Sequence, residues 1–185
     1  MRLGATPFLI GVVKGHALGD ILAHVHHVGR GLIRVDADEV TYPLHIILRF
    51  DLERALVAGS LAPADIPEAW DAAMREMLGL STLDIPRDGP MQDVHWPAGA
   101  FGYFPSYTLG AMMAAQQWAA IARDDGKLDG ELANGRFETL SDWRRRQIWS
   151  QGSRYSTPEL MQRATGEPLN AEHFTDHLRA RYGAA

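Results

Sequence analysis

The sequence contains no cysteine among its 185 residues. This absence excludes disulfide bonds, a thiolate metal site and a cysteine nucleophile, and it agrees with a reducing compartment such as the cytoplasm. The longest apolar run covers residues 8–13 and is interrupted by Gly11. It is too short to span a bilayer and is not laid out as a signal peptide. A cytoplasmic protein with no membrane partner is therefore expected.

An excess of basic residues is also absent, because the formal net charge is −5. A nucleic-acid partner would require a basic face, so no such partner is expected. The apolar share of 46% and the charged share of 22% are ordinary for a globular protein. The length is enough for one domain with a substantial core.

Alternating strand patterns of useful length are lacking, and apolar residues instead recur at helical spacing. One helix is predicted from about Val40 to Gly59, with Pro43 at its start or at a kink. Another is predicted to begin with a capping box formed by Asp65 and Glu68, and to end at Gly79.

Later helices are predicted at about residues 107–126 and 140–150, then from Ser156 to Gly166, and finally after Asn170. The fold class is therefore all-α. One helical domain is expected over residues 22–185, and residues 1–21 are a poorly specified N-terminal segment because glycines interrupt their apolar pattern.

The helical pattern lapses over residues 81–106, where proline and glycine recur. A loop of this length within a domain is usually either functional or disordered. Disordered segments contain few aromatic residues, whereas this one contains four of them: Trp96, Phe101, Tyr103 and Phe104. An ordered, aromatic-rich loop is predicted.

Arg34 and Asp38 are four residues apart, so on a helix they would share a face and could form an ion pair. Alternatively, Arg34 could recognise a carboxylate, because a guanidinium donates two parallel hydrogen bonds to that group. The residues alone leave both interpretations open.

The long loop supplies Gln92, Asp93 and His95 within four positions, and Tyr103 and Tyr107 follow. Imidazole and phenol groups are neutral donors that can stabilise the oxyanion of a tetrahedral intermediate. Asp93 could orient His95. The alternative is a structural loop with an inert His95.

A metal site is not expected from His24, His26 and His27, because these positions do not converge on one face of a helix. No histidine in the sequence is followed by glutamate, so an H-E-x-x-H motif is absent. No metal ligand is predicted in this chain.

Residues 33–38 read I-R-x-x-A-D and residues 89–96 read G-x-x-Q-D-x-H-W. The two strings resemble the last two signature motifs of the thermostable (Taq-type) zinc carboxypeptidases, and the similarity extends from about Leu22 to Arg181. The spacing of His95 and the two tyrosines is also similar to that of the angiotensin-converting-enzyme-like peptidases. The zinc-binding motifs of the family, which precede these two, are not present.

The resemblance implies an all-helical fold, a homodimer, a zinc or cobalt cofactor in the family, and release of C-terminal amino acids from peptides. It assigns catalysis to His95, Tyr103 and Tyr107, and substrate binding to the other motif residues: Arg34, Asp38, Gln92 and Asp93. A helix bearing Arg34 is expected beneath the loop, so that Arg34, His95 and a tyrosine face one cleft.

Without the zinc motif, the chain is expected to be the C-terminal part of a metallocarboxypeptidase and inactive alone. Its partners would be a peptide C-terminus and either a second copy or a separate chain that supplies the metal-binding half. The alternative is a non-catalytic peptide-binding or scaffold protein.

Overall fold

The structure, a computed structural model, describes residues 15–183. Most of the N-terminal segment, residues 1–14, therefore lies outside the described residues. Residues 27–110 form one compact unit, the motif unit, and residues 15–26 with 111–183 form another, the terminal unit. The predicted extent of a single domain, 22–185, stays a prediction.

Every regular element in the described range is helical, which confirms the predicted fold class. The α-helices are α1 Leu18–Val25, α2 Tyr42–Val57, α3 Ile66–Leu78, α4 Pro105–Asp124, α5 Leu128–Ala133, α6 Glu138–Gln147, α7 Thr157–Thr165 and α8 Glu172–Tyr182. Short 3-10 helices cover Arg34–Asp36, Pro63–Asp65 and Trp149–Gln151. Within residues 15–183, no helix is long and apolar enough to cross a membrane.

Several helix ends follow from local sequence signals. Pro43 lies in the first turn of α2, where a proline loses no helical hydrogen bond. Gly79 ends α3 at φ 69°, a left-handed conformation that glycine adopts without steric cost. Ser156 and Glu159 form a capping box at the start of α7. The capping box predicted at Asp65 is wrong, because this side chain makes no cap hydrogen bond.

The core of the motif unit lies between α2 and α3. Five buried side chains form it: Leu48, Leu52, Trp70, Met74 and Leu78. Burying one such side chain stabilises a fold by about 1.5–3 kcal/mol. Trp96, from the loop between α3 and α4, packs against the same cluster. The core therefore fixes the loop as well as the two helices.

The loop is held at both ends by carboxylates on these helices. Asp71 of α3 accepts hydrogen bonds from the Ser81 hydroxyl at 2.7 Å and the Thr82 backbone N–H at 2.7 Å. Glu53 of α2 accepts from Trp96 Nε1 at 2.9 Å and the Gly102 backbone N–H at 3.0 Å. These bonds confirm the prediction of an ordered loop.

The terminal unit has its own apolar cluster, formed by Ala120, Ile121, Leu128, Trp143 and Ala164. Beside it, the buried Gln116 side chain donates to the Thr165 hydroxyl at 2.8 Å and the Pro168 carbonyl at 3.0 Å. Its carbonyl oxygen accepts from the Asn170 backbone N–H at 2.9 Å. One amide thus joins α4 to the segment between α7 and α8.

Candidate functional site

Arg34 lies in a 3-10 turn rather than on an α-helix, which corrects the expected helix beneath the loop. The Arg34–Asp38 ion pair is also not formed. The Asp38 carboxylate instead accepts from the backbone N–H groups of Gly29, Val40 and Thr41, each at 2.9 Å. Burial alone would raise the pKa of Asp38, but the Gly29 and Thr41 bonds outweigh it and lower that pKa. Asp38 therefore shapes the turn that precedes α2.

Gln92 connects the 3-10 turn to the long loop. Its amide nitrogen donates to the Leu32 carbonyl at 3.1 Å and the Asp88 carbonyl at 2.8 Å. Its amide oxygen accepts from the Arg34 backbone N–H at 2.8 Å. The Gln92 amide is therefore hydrogen-bonded to backbone groups of both segments, and it sets the position of Arg34 relative to the loop.

Asp93 lies between two guanidinium groups, and we call Arg34, Arg49 and Asp93 the ion cluster. Asp93 Oδ1 accepts from Arg34 Nε at 3.0 Å and Nη2 at 2.7 Å, and Oδ2 accepts from Arg49 Nε at 2.5 Å. Burial by itself would raise the pKa of Asp93, but the hydrogen bond from Arg34 and the charge of Arg49 lower it. Two cations against one anion leave a net positive charge.

Arg49 is a site residue that the sequence did not reveal. Its side chain is 0% exposed, on the inner side of α2, where apolar residues are expected. Its Nη1 donates to the His45 carbonyl at 2.8 Å, and its Cζ lies 4.6 Å from the centre of the Trp70 ring. Burial lowers the pKa of Arg49 to about 10, so it stays charged at neutral pH. Burial and the Arg49 charge also lower the pKa of His45 to about 4, so this imidazole is neutral.

His95, Tyr103 and Tyr107 form a second group, the donor cluster. His95 Nε2 lies 3.0 Å from the Tyr107 hydroxyl oxygen. The Tyr103 ring centre lies 5.6 Å from that of His95 and 5.4 Å from that of Tyr107. The Phe104 ring centre lies 4.4 Å from that of His95. The side chains assigned to catalysis are therefore in mutual contact.

Asp93 orients His95 only weakly. Its Oδ1 is 3.9 Å from His95 Nδ1, which is beyond hydrogen-bond distance. The ordering of the imidazole comes from Tyr107 and the packed aromatic rings instead. Asp93 contributes mainly by fixing the two arginines.

Tyr42, the first residue of α2, links the ion cluster to the donor cluster. Its hydroxyl oxygen accepts from Arg34 Nη1 at 2.7 Å, and its ring meets the Tyr107 ring edge-on at 6.3 Å. Arg34 Cζ lies 5.2 Å from the centre of the Tyr107 ring, within cation–π distance. Arg34, His95 and Tyr107 are therefore brought together as the motifs predicted, although Arg34 is only 6% exposed.

The first glycine of the G-x-x-Q-D-x-H-W string has a steric role. A Cβ atom at Gly89 would lie 3.1 Å from the Cβ of Thr82, which is tighter than ordinary side-chain contacts. Glycine at this position lets the loop return close to its own start. Gln92 and Asp93 follow from that turn.

The residues described do not fit a zinc site. Among residues 15–183, no group of three or more histidine, aspartate or glutamate side chains converges in a way that could hold a metal ion. His26 packs edge-on against Tyr182 at 6.0 Å.

Residues 11–182 match the sequence pattern of the family described as Carboxypeptidase Taq (M32) metallopeptidase. The chain belongs to this family. The match begins at residue 11, earlier than the start expected near Leu22.

Thermostable carboxypeptidase 1 of Thermus thermophilus is 45% identical over 173 residues, covering 91% of this chain and 34% of the relative. Carboxypeptidase 1 of Bacillus subtilis is 37% identical over 169 residues, with the same two coverages of 91% and 34%. Among solved structures, Trypanosoma cruzi metallocarboxypeptidase 1 gives a TM-score of 0.90 at 40% identity, covering 96% of this chain and 38% of that chain. The M32 carboxypeptidase from Deinococcus radiodurans gives a TM-score of 0.86 at 40% identity, covering 93% of this chain and 35% of that chain.

The chain spans about a third of the length of the curated relatives it matches. The prediction of a carboxypeptidase-related chain that corresponds to the C-terminal part of a metallocarboxypeptidase is confirmed.

Proposed function

We propose that this chain supplies the hydrogen-bond donors that a metallocarboxypeptidase directs at the scissile peptide carbonyl. The metal-binding residues, in this proposal, belong to a polypeptide outside this chain. The observation that carries the proposal is the 3.0 Å contact between His95 Nε2 and the Tyr107 hydroxyl, with Tyr103 packed against both rings.

The donor cluster suits the charge that develops when a peptide bond is attacked. The carbonyl oxygen becomes an oxyanion, and a fixed neutral donor can stabilise it by about 2.7–4 kcal/mol. If His95 Nε2 carries a hydrogen and donates it to the Tyr107 oxygen, the hydrogen of that phenol is free for the oxyanion. Tyr103 is half exposed, and its hydroxyl has no partner among the described residues, so it can serve as a second donor.

Arg34 acts in this proposal mainly by positioning. Three of its N–H groups already donate to Asp93 and Tyr42, and little of its surface reaches solvent. The net positive charge of the ion cluster still favours a peptide C-terminal carboxylate nearby, because a buried cation is weakly screened. Asp38 and Gln92 support Arg34 and do not touch the substrate.

The test uses a hybrid in which this chain replaces the matching segment of the Thermus thermophilus relative. We expect the hybrid to release the C-terminal amino acid from an N-blocked dipeptide. We expect no release by this chain alone, even with added zinc or cobalt. Release by the chain alone would contradict the two-part proposal, and a folded but inactive hybrid would contradict the donor role.

A non-catalytic binding protein is the second candidate, because apolar side chains are exposed on the outer face of α2. An inactive hybrid that still folds cooperatively would favour it. A cytoplasmic location and assembly as a homodimer or with a second polypeptide are further proposals, supported by the cysteine-free composition and the family resemblance. Light scattering of the purified chain and cell fractionation would test them.

A further inference from the structure

The outward face of α2 is unusual for a helix at a protein surface. Its exposed positions repeat at helical spacing, and three of the five carry apolar residues: Ile47, Phe50 and Val57. The exposed Ala58 follows directly after the helix. A surface helix normally presents polar residues on this side. The other two positions, Asp51 and Arg54, pair loosely at 3.9 Å. The outward face of α2 therefore carries apolar residues, although it is not the face that packs in the core of the motif unit.

Two concavities adjoin this face. One, of about 590 Å³, is lined mainly by α2 and the residues that follow it, together with Gly102. The other, of about 380 Å³, is lined by Leu56, Pro63, Ile66, Trp96 and Phe101. Val57 lines both concavities and is 77% exposed. We call them together the α2 groove.

The walls of the α2 groove are fixed before any partner binds. Glu53 accepts hydrogen bonds from both Trp96 and Gly102, so the loop is tied to α2 where the two concavities meet. The next residue, Tyr103, belongs to the donor cluster. A polypeptide seated in the groove would therefore contact the segment that positions Tyr103.

We propose that the α2 groove binds the metal-bearing portion of the carboxypeptidase, through an apolar helix face that lies along α2. This inference rests on the proposed function. The relatives carry about two thirds of their length outside the matched segment, so a large polypeptide has to pack against the surfaces of this third. The apolar outward face of α2 and its preformed groove can bury the apolar face of such a helix. Asp51 and Arg54 can form polar contacts with it at the rim of the groove.

The test compares one substitution in two proteins, this chain alone and the Thermus thermophilus hybrid. Val57→Lys should shift the unfolding midpoint of the chain alone by less than about 2 °C, because exposed positions tolerate substitution. In the hybrid, where the groove is covered, the same change should lower the midpoint by at least about 4 °C. Ala58→Lys, on the same face, should behave alike. Glu76→Lys, on the polar outer face of α3, is the matched control and should shift neither protein.

Equal shifts in both proteins, including no shift in either, would overturn the proposal. A chain that is dimeric alone and becomes monomeric on Val57→Lys in light scattering would assign the groove to a second copy instead, which also overturns it. The hybrid separates this inference from the proposed function. An active hybrid whose unfolding midpoint is unchanged by Val57→Lys refutes only the groove proposal. A folded, inactive hybrid whose midpoint is lowered by Val57→Lys refutes only the donor role.

Discussion

The motif unit and the terminal unit bury different kinds of polar group. Five ionisable side chains are buried in the motif unit: Arg34, His45, Arg49, Glu53 and Asp71. In the described part of the terminal unit, the buried polar side chains are Gln116, Gln117 and Thr165, which are all neutral. Gln116 bonds largely to backbone carbonyls and a backbone N–H, whereas Asp93 joins two side-chain cations.

The neutral groups of the terminal unit complete its fold, whereas the charged groups of the motif unit need a further explanation. A buried ion pair is often no more stabilising than well-packed apolar groups, because both ions lose hydration. The neutral amide of Gln116 satisfies backbone groups at much lower cost. The ion cluster is therefore poorly explained by stability alone. Its contact with Tyr42 and Tyr107 gives it a second role, which is to set the geometry of the donor cluster.

The largest effect is expected when the ion cluster is broken. Asp93→Ala leaves Arg34 and Arg49 buried without their shared anion, and removing one partner of a buried pair costs about 3–5 kcal/mol. The free energy of unfolding, measured in urea, should fall by that amount. Asp51→Ala removes an exposed pairing with Arg54 and should change it by less than about 0.5 kcal/mol. If Asp93→Ala lowered the free energy of unfolding as little as Asp51→Ala does, the ion cluster would not distinguish the motif unit from the terminal unit.

The next effect concerns the donor cluster, in the hybrid with the Thermus thermophilus relative. Tyr107→Phe removes the proposed oxyanion donor and should lower kcat by about 10²–10³ with little change in KM. Tyr155→Phe is the matched control, because Tyr155 lies in the terminal unit against Arg163. An unchanged kcat, or a loss confined to KM, would show that Tyr107 does not act on the transition state.

A smaller effect is expected in the neutral network of the terminal unit. Gln116→Met keeps the side-chain size but leaves the Pro168 carbonyl and the Asn170 N–H without this partner, at a cost of about 1–3 kcal/mol. Gln162 donates to the Gly166 carbonyl at the surface, so Gln162→Met should cost less than about 1 kcal/mol. Gln116 itself bonds only to a hydroxyl and to backbone groups, so the loss should be the same at pH 5 and pH 8. A pH-dependent loss would show that the network is coupled to the neighbouring Glu167–His173 pair, which the Asn170 side chain contacts.

Local signals were enough to predict the helices that have clear ends. Gly79 and Gly166 stop α3 and α7 because each adopts a left-handed conformation, and Ser156 with Glu159 specifies the start of α7. The sequence did not predict α1 and α5, which are short and contain Gly19 and Gly130. In α5, Leu128 is buried in the apolar cluster of the terminal unit, and this packing offsets the unfavourable propensity of Gly130.

The site was predictable only in part. The motifs identified Arg34 and Asp93, but Arg49 is 44 residues from Asp93 and occupies a position that periodicity assigns to the core. Tyr42 was equally hidden, because its link from Arg34 to Tyr107 exists only in the folded chain. The Arg34–Asp38 pair failed for a local reason: the 3-10 turn ends at Asp36 and Ala37 is extended, so positions 34 and 38 do not share a helical face. Long-range ionic contacts leave no periodic signal.

The smallest effect tests a carboxylate that lies between the two extremes. Asp71 is ionised like Asp93, yet its cation is Arg75, whose side chain is 59% exposed. Hydrogen bonds from Ser81 and Arg75 lower the pKa of Asp71 from 3.8 to about 2. Because the folded pKa lies below the unfolded one, Asp71 stabilises the fold above about pH 4, and that contribution is lost as the pH falls from about 4 to about 2.

Unfolding midpoints of the wild-type protein and Asp71→Asn should therefore differ by a constant amount between pH 7 and pH 5 and converge below about pH 4. Burial would raise the pKa of Asp93, but its bonds to Arg34 and the Arg49 charge lower it, and protonation of Asp93 affects both proteins alike, so it cancels in the difference. Ser81→Ala, which removes the largest cause of the lowered pKa, should move the convergence to higher pH. A difference that persists unchanged at pH 3 would mean that Asp71 acts through hydrogen-bond geometry rather than through its charge. It would then resemble the neutral Gln116 network more closely than the ion cluster.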